Sequence, residues 1–105
     1  MRKETDERNA MRQRTMSFGL RIIRLTESLP RSQTARVLGK QLLRAGTSVG
    51  ANYRAALRAK SRRDFIAKMG TVEEEADEAI YWMQMLIECG LVQQARLSEL
   101  LDEAK

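Results

Sequence analysis

The chain has 105 residues, 43% hydrophobic and 31% charged, with one proline and a formal net charge of +5. That composition suits one small ordered domain and excludes a disordered chain. It contains no histidine and a single cysteine, Cys89, which excludes a histidine metal centre, histidine acid–base catalysis and an internal disulfide.

The N-terminal stretch MRKETDERNAMRQR is charged and mostly polar. No signal-peptide apolar segment follows it, and no run is long enough to span a membrane. The expectation is a cytoplasmic protein with no membrane contact. A core this small gains from self-association.

The first periodic segment runs from about Thr5 to Leu29, with residues 1–14 read as a polar extension that frays or forms a tail. Phe18, Ile22, Leu25 and Leu29 repeat at helical spacing, and Met16, Leu20 and Ile23 form a second stripe beside them. So wide an apolar face predicts a bundle helix. Pro30 ends it, and Ser32 or Thr34 is placed to cap the next helix.

In that next helix, Leu38, Leu42, Ala45, Val49, Asn52 and Ala56 form a heptad seam. Leu43, Gly46, Gly50, Tyr53 and Leu57 run alongside. Gly46 and Gly50 lie four apart on one face, which suits close approach by a neighbouring helix or, alternatively, a kink or break at GTSVG. A phosphate-binding loop is a poor fit, because the Gly-rich Lys-Ser/Thr pattern and a preceding strand are both missing.

Ser61 is the next candidate cap. Phe65, Met69, Val72, Ala76, Ala79, Met83 and Leu86 then continue in heptad order, with Ile80 and Ile87 widening the stripe. Gly90 reads as a C-terminal stop. A last short segment, about Gln93 to Ala104, carries Leu97, Leu100 and Leu101. The pattern predicts an all-α fold: an antiparallel up-down-up-down four-helix bundle with a short C-terminal helix, one domain over residues 1–105.

Charge is segregated by sign. Residues 1–68 hold 17 Lys/Arg against 5 Asp/Glu, whereas residues 69–105 hold 2 against 9. The halves should attract each other on packing and leave a basic surplus on the first. Arg54, Arg58, Lys60, Arg62 and Arg63 concentrate that surplus at the turn between two long helices. They are candidates for nonspecific phosphate contacts or, more simply, a solvated helix end. No aromatic alternates with them, which disfavours base stacking.

Lys68, Glu75 and Trp82 are spaced by seven. A buried Glu75 would need a partner, so an Arg44–Glu75 pair with Asn52 hydrogen-bonded nearby is expected; the competing reading leaves Arg44 in solvent. Glu73, Glu74 and Asp77 suit a solvated face. No metal or cofactor is implied, and no nucleophile sits beside an activating base. Tyr53, Tyr81 and Trp82 read as core or subunit-contact residues, and Cys89 as a small buried hydrophobe.

The stretches QLLRAGTSVGANYRAA, SRRDFIAKM and EEEADEAIYWMQML, in this order and spacing, resemble the small proteins encoded in intervening sequences of bacterial 23S ribosomal RNA genes. The resemblance covers roughly Phe18 to Val92. The family pattern falls on Gln41, Leu42, Arg44, Ser48, Asn52, Tyr53, Ser61, Phe65, Lys68, Glu75, Glu78, Tyr81 and Trp82. Ala55 departs from it, standing where an acid is common, and so leaves the basic turn more basic.

The resemblance implies an antiparallel four-helix bundle that assembles as a homopentamer, with Gly46, Gly50 and Trp82 as candidates for subunit packing. Related accessory factors of diversity-generating retroelements are expected to contact nucleic acid and a reverse transcriptase. Two functions follow as expectations. One is a noncatalytic oligomer that binds RNA or DNA through pooled basic surfaces, five copies carrying about +25. The other is a structural adaptor for a protein partner such as a reverse transcriptase.

Overall fold

The computed structural model describes residues 2–105, with side chains from residue 5 onward. Its four helices are α1 (Arg2–Glu27), α2 (Gln33–Leu57), α3 (Arg62–Glu88) and α4 (Gln94–Ala104). Consecutive helices pack against each other, and α4 returns to touch α1. This is the antiparallel up-down-up-down bundle that short connections favour. The polar backbone of residues 2–14 is helical, with the side chains of residues 5–14 exposed. Of the expected extension, Met1 and the side chains of residues 2–4 lie outside the described residues.

Helix ends follow local chemistry. Ser32 caps α2 by accepting from the Ala35 N–H, and Ser61 caps α3 by accepting from the Asp64 N–H. At the end of α3, Gly90 takes φ +83°. Its N–H donates to the Ile87 carbonyl, and the Leu91 N–H donates to the Leu86 carbonyl. That paired arrangement needs a left-handed residue, which glycine supplies without a Cβ penalty.

The core holds the first stripe of α1 (Phe18, Ile22, Leu25), the seam of α2 and the C-terminal part of the α3 seam. Leu97 and Leu100 of α4 complete it. Burial along α3 is uneven: Phe65 and Met69 are half-buried, whereas Ala79, Met83 and Leu86 are fully enclosed. Length explains the gradient. At 1.5 Å per residue, α4 reaches about 16 Å back along a helix of about 40 Å, so it covers only the latter half of α3.

The glycines decide how α1 meets α2. A Cβ on Gly46 would lie 2.7 Å from Ile22 Cγ1 and 2.9 Å from Ile22 Cγ2. One on Gly50 would lie 3.3 Å from Thr15 Oγ1 and 3.4 Å from the Thr15 backbone carbon. The helix is continuous from Gln33 to Leu57, so the two glycines sit in close contact with α1 and not at a break.

Two expectations change on packing. The second α1 stripe is largely outside the core: Met16 is 53% and Leu20 44% exposed, because the first stripe alone fills the space facing α2 and α4. Cys89 is also exposed. It occupies the C-cap, beyond the last packed turn of α3, and only its weak Sγ donor reaches the Leu86 carbonyl, at 3.6 Å.

Gly46→Ala should lower stability by about 1–2 kcal/mol, since overpacking against buried Ile22 exceeds the gain in helix propensity. Gly70→Ala should raise it by about 0.5–1 kcal/mol, because a Cβ there meets nothing within 4 Å. Urea denaturation midpoints shifting in opposite directions are the expected result.

Candidate nucleic-acid interface

The loop joining α2 to α3 is short, so the end of one helix and the start of the next present their side chains together. Arg58, Lys60, Arg62 and Arg63 are all exposed there. Among the described residues, no carboxylate pairs with their side chains. The nearby acid, Asp64, is already engaged. Lys68 Nζ donates to its Oδ1 at 2.7 Å and its Oδ2 at 2.8 Å, and the Lys60 backbone N–H donates to Oδ2 at 3.3 Å. The Lys68 hydrogen bonds, helped by the Lys60 N–H, hold the Asp64 carboxyl below its ordinary range.

Arg54 is also exposed but sits apart from this turn. It lines a groove on the outer side of α1 and α2, together with Arg12. The five-residue basic block of the sequence is therefore divided between the turn and the groove.

Elsewhere three arginines are matched by acids. Arg21 reaches Glu103 at 3.3 Å and Glu99 at 3.7 Å, and Arg14 lies 4.0 Å from Glu103. Arg44 pairs with both Glu75, at 3.5 Å, and Glu78. Glu75, Glu78, Glu99 and Glu103 thus face arginines of α1 and α2, and among the described residues the turn cations keep their charge uncompensated.

The polar network on α2 and α3 differs in detail from its sequence expectation. Arg44 is not a buried charge: its side chain is 50% exposed, against 20% for Glu75. It points outward along the α2–α3 boundary, where its guanidinium can span two carboxylates one helical turn apart. Asn52 takes no part in the pair, and its Nδ2 donates instead to the Ser48 carbonyl at 2.9 Å. Glu78 is the partner that the sequence reading missed. Its position three residues after Glu75, on the same face, was the available signal.

Tyr53 is buried in the core, while Trp82 is half-buried and packs against it. Tyr81 is 53% exposed and meets Trp82 edge-on, with ring centroids 5.0 Å apart. Among the described residues, two buried polar atoms have no hydrogen-bond partner: Trp82 Nε1 and Glu75 Oε2. Glu73, Glu74 and Asp77 are exposed. No group of candidate metal ligands assembles among the described residues, and none of their helices is long and apolar enough to cross a membrane.

These features define an all-α four-helix bundle whose chemistry lies in charged and apolar surfaces. The chain belongs to the 23S rRNA-intervening sequence protein family, whose model matches residues 7–105. A solved protein of unknown function from the S23 ribosomal protein family of Bacteroides thetaiotaomicron is similar, at 35% identity and a TM-score of 0.82. The match covers 89% of this chain and 86% of that one. Comparison with curated proteins gives no significant match.

Two measurements probe the polar groups. Arg44→Met should destabilise the bundle by about 1–2 kcal/mol, a half-exposed pair plus one carboxylate oxygen left buried without a counter-charge. Adding Glu75→Gln should recover part of the loss in a double-mutant cycle. For Asp64, an NMR titration should give a pKa below the ordinary carboxylate value, and Lys68→Met should raise it. Because the folded value is the lower one, the stabilisation from Asp64 is present above the unfolded pKa and fades as pH falls through the folded one.

Proposed function

We propose that the protein is a noncatalytic homo-oligomer that binds RNA or DNA through phosphate contacts, without reading base sequence. The observation that carries this reading is the turn itself. Arg58, Lys60, Arg62 and Arg63 stand exposed together, free of carboxylate partners, while Arg14, Arg21 and Arg44 are matched. Lysine and arginine at such a site gain affinity by releasing counterions from the polymer. Assembly multiplies the effect, because each copy presents the same turn. Five copies is the number the family resemblance supports.

A second reading is a structural adaptor that binds another protein, such as a reverse transcriptase. It is favoured by the exposed apolar side chains Tyr81, Met85 and Leu20, which do nothing for phosphate binding.

Salt titrations with labelled RNA and DNA separate the two readings. Binding should be similar for unrelated sequences and fall steeply with salt. Combined Arg58→Glu, Arg62→Glu and Arg63→Glu changes should weaken all sequences alike and reduce the slope of log K against log salt by about 0.7–0.9 per lost contact. Sequence-selective binding that persists at high salt, or no binding near 0.15 M salt, would reject the phosphate reading.

A further inference from the structure

A second cluster of arginines lies where α1 meets α4, away from the α2–α3 turn. Arg96 donates to the Ser28 hydroxyl at 2.6 Å, and seven residues along each helix Arg21 donates to Glu103 at 3.3 Å. These two contacts fix the antiparallel register of α1 against α4, which sets Arg24 level with Leu100. Arg21, Arg24 and Arg96 line one cleft, about 270 Å³ in volume, over Leu25, Leu97 and Leu100. All three leucines are buried.

The charges along this cleft do not cancel. Arg21 is held by Glu99 and Glu103. Arg24 and Arg96 are exposed, and among the described residues neither pairs with a carboxylate. Ser28 positions one of them. Its hydroxyl donates to the Leu25 carbonyl at 2.7 Å and accepts from Arg96 Nη2. The guanidinium is thereby held across the gap, with the other N–H groups of its five still open to a ligand. An apolar floor also weakens the screening that water gives to such charges.

We propose that the α1–α4 cleft binds a phosphomonoester. Such a group carries close to two negative charges near pH 7, which match Arg24 and Arg96. A carboxylate, or an internal phosphodiester of RNA or DNA, would balance only one of them. Phosphate oxygens also accept the paired N–H groups of a guanidinium fork. The site goes beyond the nucleic-acid reading and is separate from it. The 25 residues of α2, about 38 Å of helix, lie between this end of the bundle and the basic turn.

NMR titration of the whole chain with inorganic phosphate, adenosine 5′-monophosphate and adenosine tests the site. The two phosphates should shift the amides of Ser28 and Leu97 and the Nε–H signals of Arg24 and Arg96, and adenosine should not. Arg24 is exposed and unpaired, so Arg24→Glu should fold normally by circular dichroism. It should weaken monophosphate binding by about tenfold, the loss of one charge-assisted contact. Arg24→Lys keeps the charge without the fork and should fall between the two. Lys40→Glu makes the same charge change outside the cleft and should leave the affinity nearly unchanged. RNA oligonucleotides with and without a 5′-phosphate then identify the source: a small ester if the monophosphate binds, a strand end if only the phosphorylated oligonucleotide does.

Equal shifts from the unphosphorylated strand overturn the proposal, as does a loss in Lys40→Glu that equals that in Arg24→Glu. No shift at the cleft with any phosphomonoester overturns it too. Shifts confined to Arg62 and Arg63 overturn the cleft and leave the role of the turn standing. A cleft that responds in a protein that binds no polymer supports this site and rejects the nucleic-acid reading alone.

Discussion

The bundle depends on how closely α1 can lie against α2. Ile22, fully buried, occupies the space that a Cβ on Gly46 would need. One turn further along, Thr15 does the same at Gly50, with its hydroxyl hydrogen donated to the Arg12 carbonyl so that no polar group is stranded. Two glycines in a helix cost about 1 kcal/mol each in propensity. Here that loss is offset by dense contact between two long helices and by the burial of Ile22, a side chain worth about 1.5–3 kcal/mol when removed from water.

That close approach also shapes the outside of the molecule. With Phe18, Ile22 and Leu25 facing the core, the neighbouring stripe of Met16 and Leu20 is turned toward solvent beside a groove between α1 and α2. The short α4 has a similar consequence on the other side, where the N-terminal part of α3 remains only half-covered. One folded copy thus leaves Met16, Leu20, Tyr81 and Met85 among its exposed large apolar side chains.

Electrostatics sorts the remaining surface. The acids of α3 and α4 are drawn to Arg14, Arg21 and Arg44 on the first two helices. Exposed pairs of this kind add little stability individually, but they settle where charge is left over. Lys68 and the Lys60 backbone N–H take up the Asp64 carboxylate at the start of α3. The exposed cations left uncompensated include the cluster around the α2–α3 turn, and this cluster is the feature on which a phosphate-binding role rests.

The sequence by itself determined the helices, their order, the serine caps, the glycine stop and most of the core, because these follow from local rules of spacing and backbone geometry. It also carried the family through three ordered motifs, and the opposed charge of its two halves. Only the tertiary structure decided which apolar stripe of α1 faces inward, since both have the same period and only the fit against α2 and α4 separates them. The same holds for Arg44, whose reach to Glu78 and half-exposed position depend on the angle between two helices, and for Asn52, which turned to its own backbone. Arg54 and Arg58 differ by one helical turn in sequence, yet one lines the groove beside α1 and the other stands in the turn, because α2 ends at Leu57 and Arg58 is its non-helical C-cap.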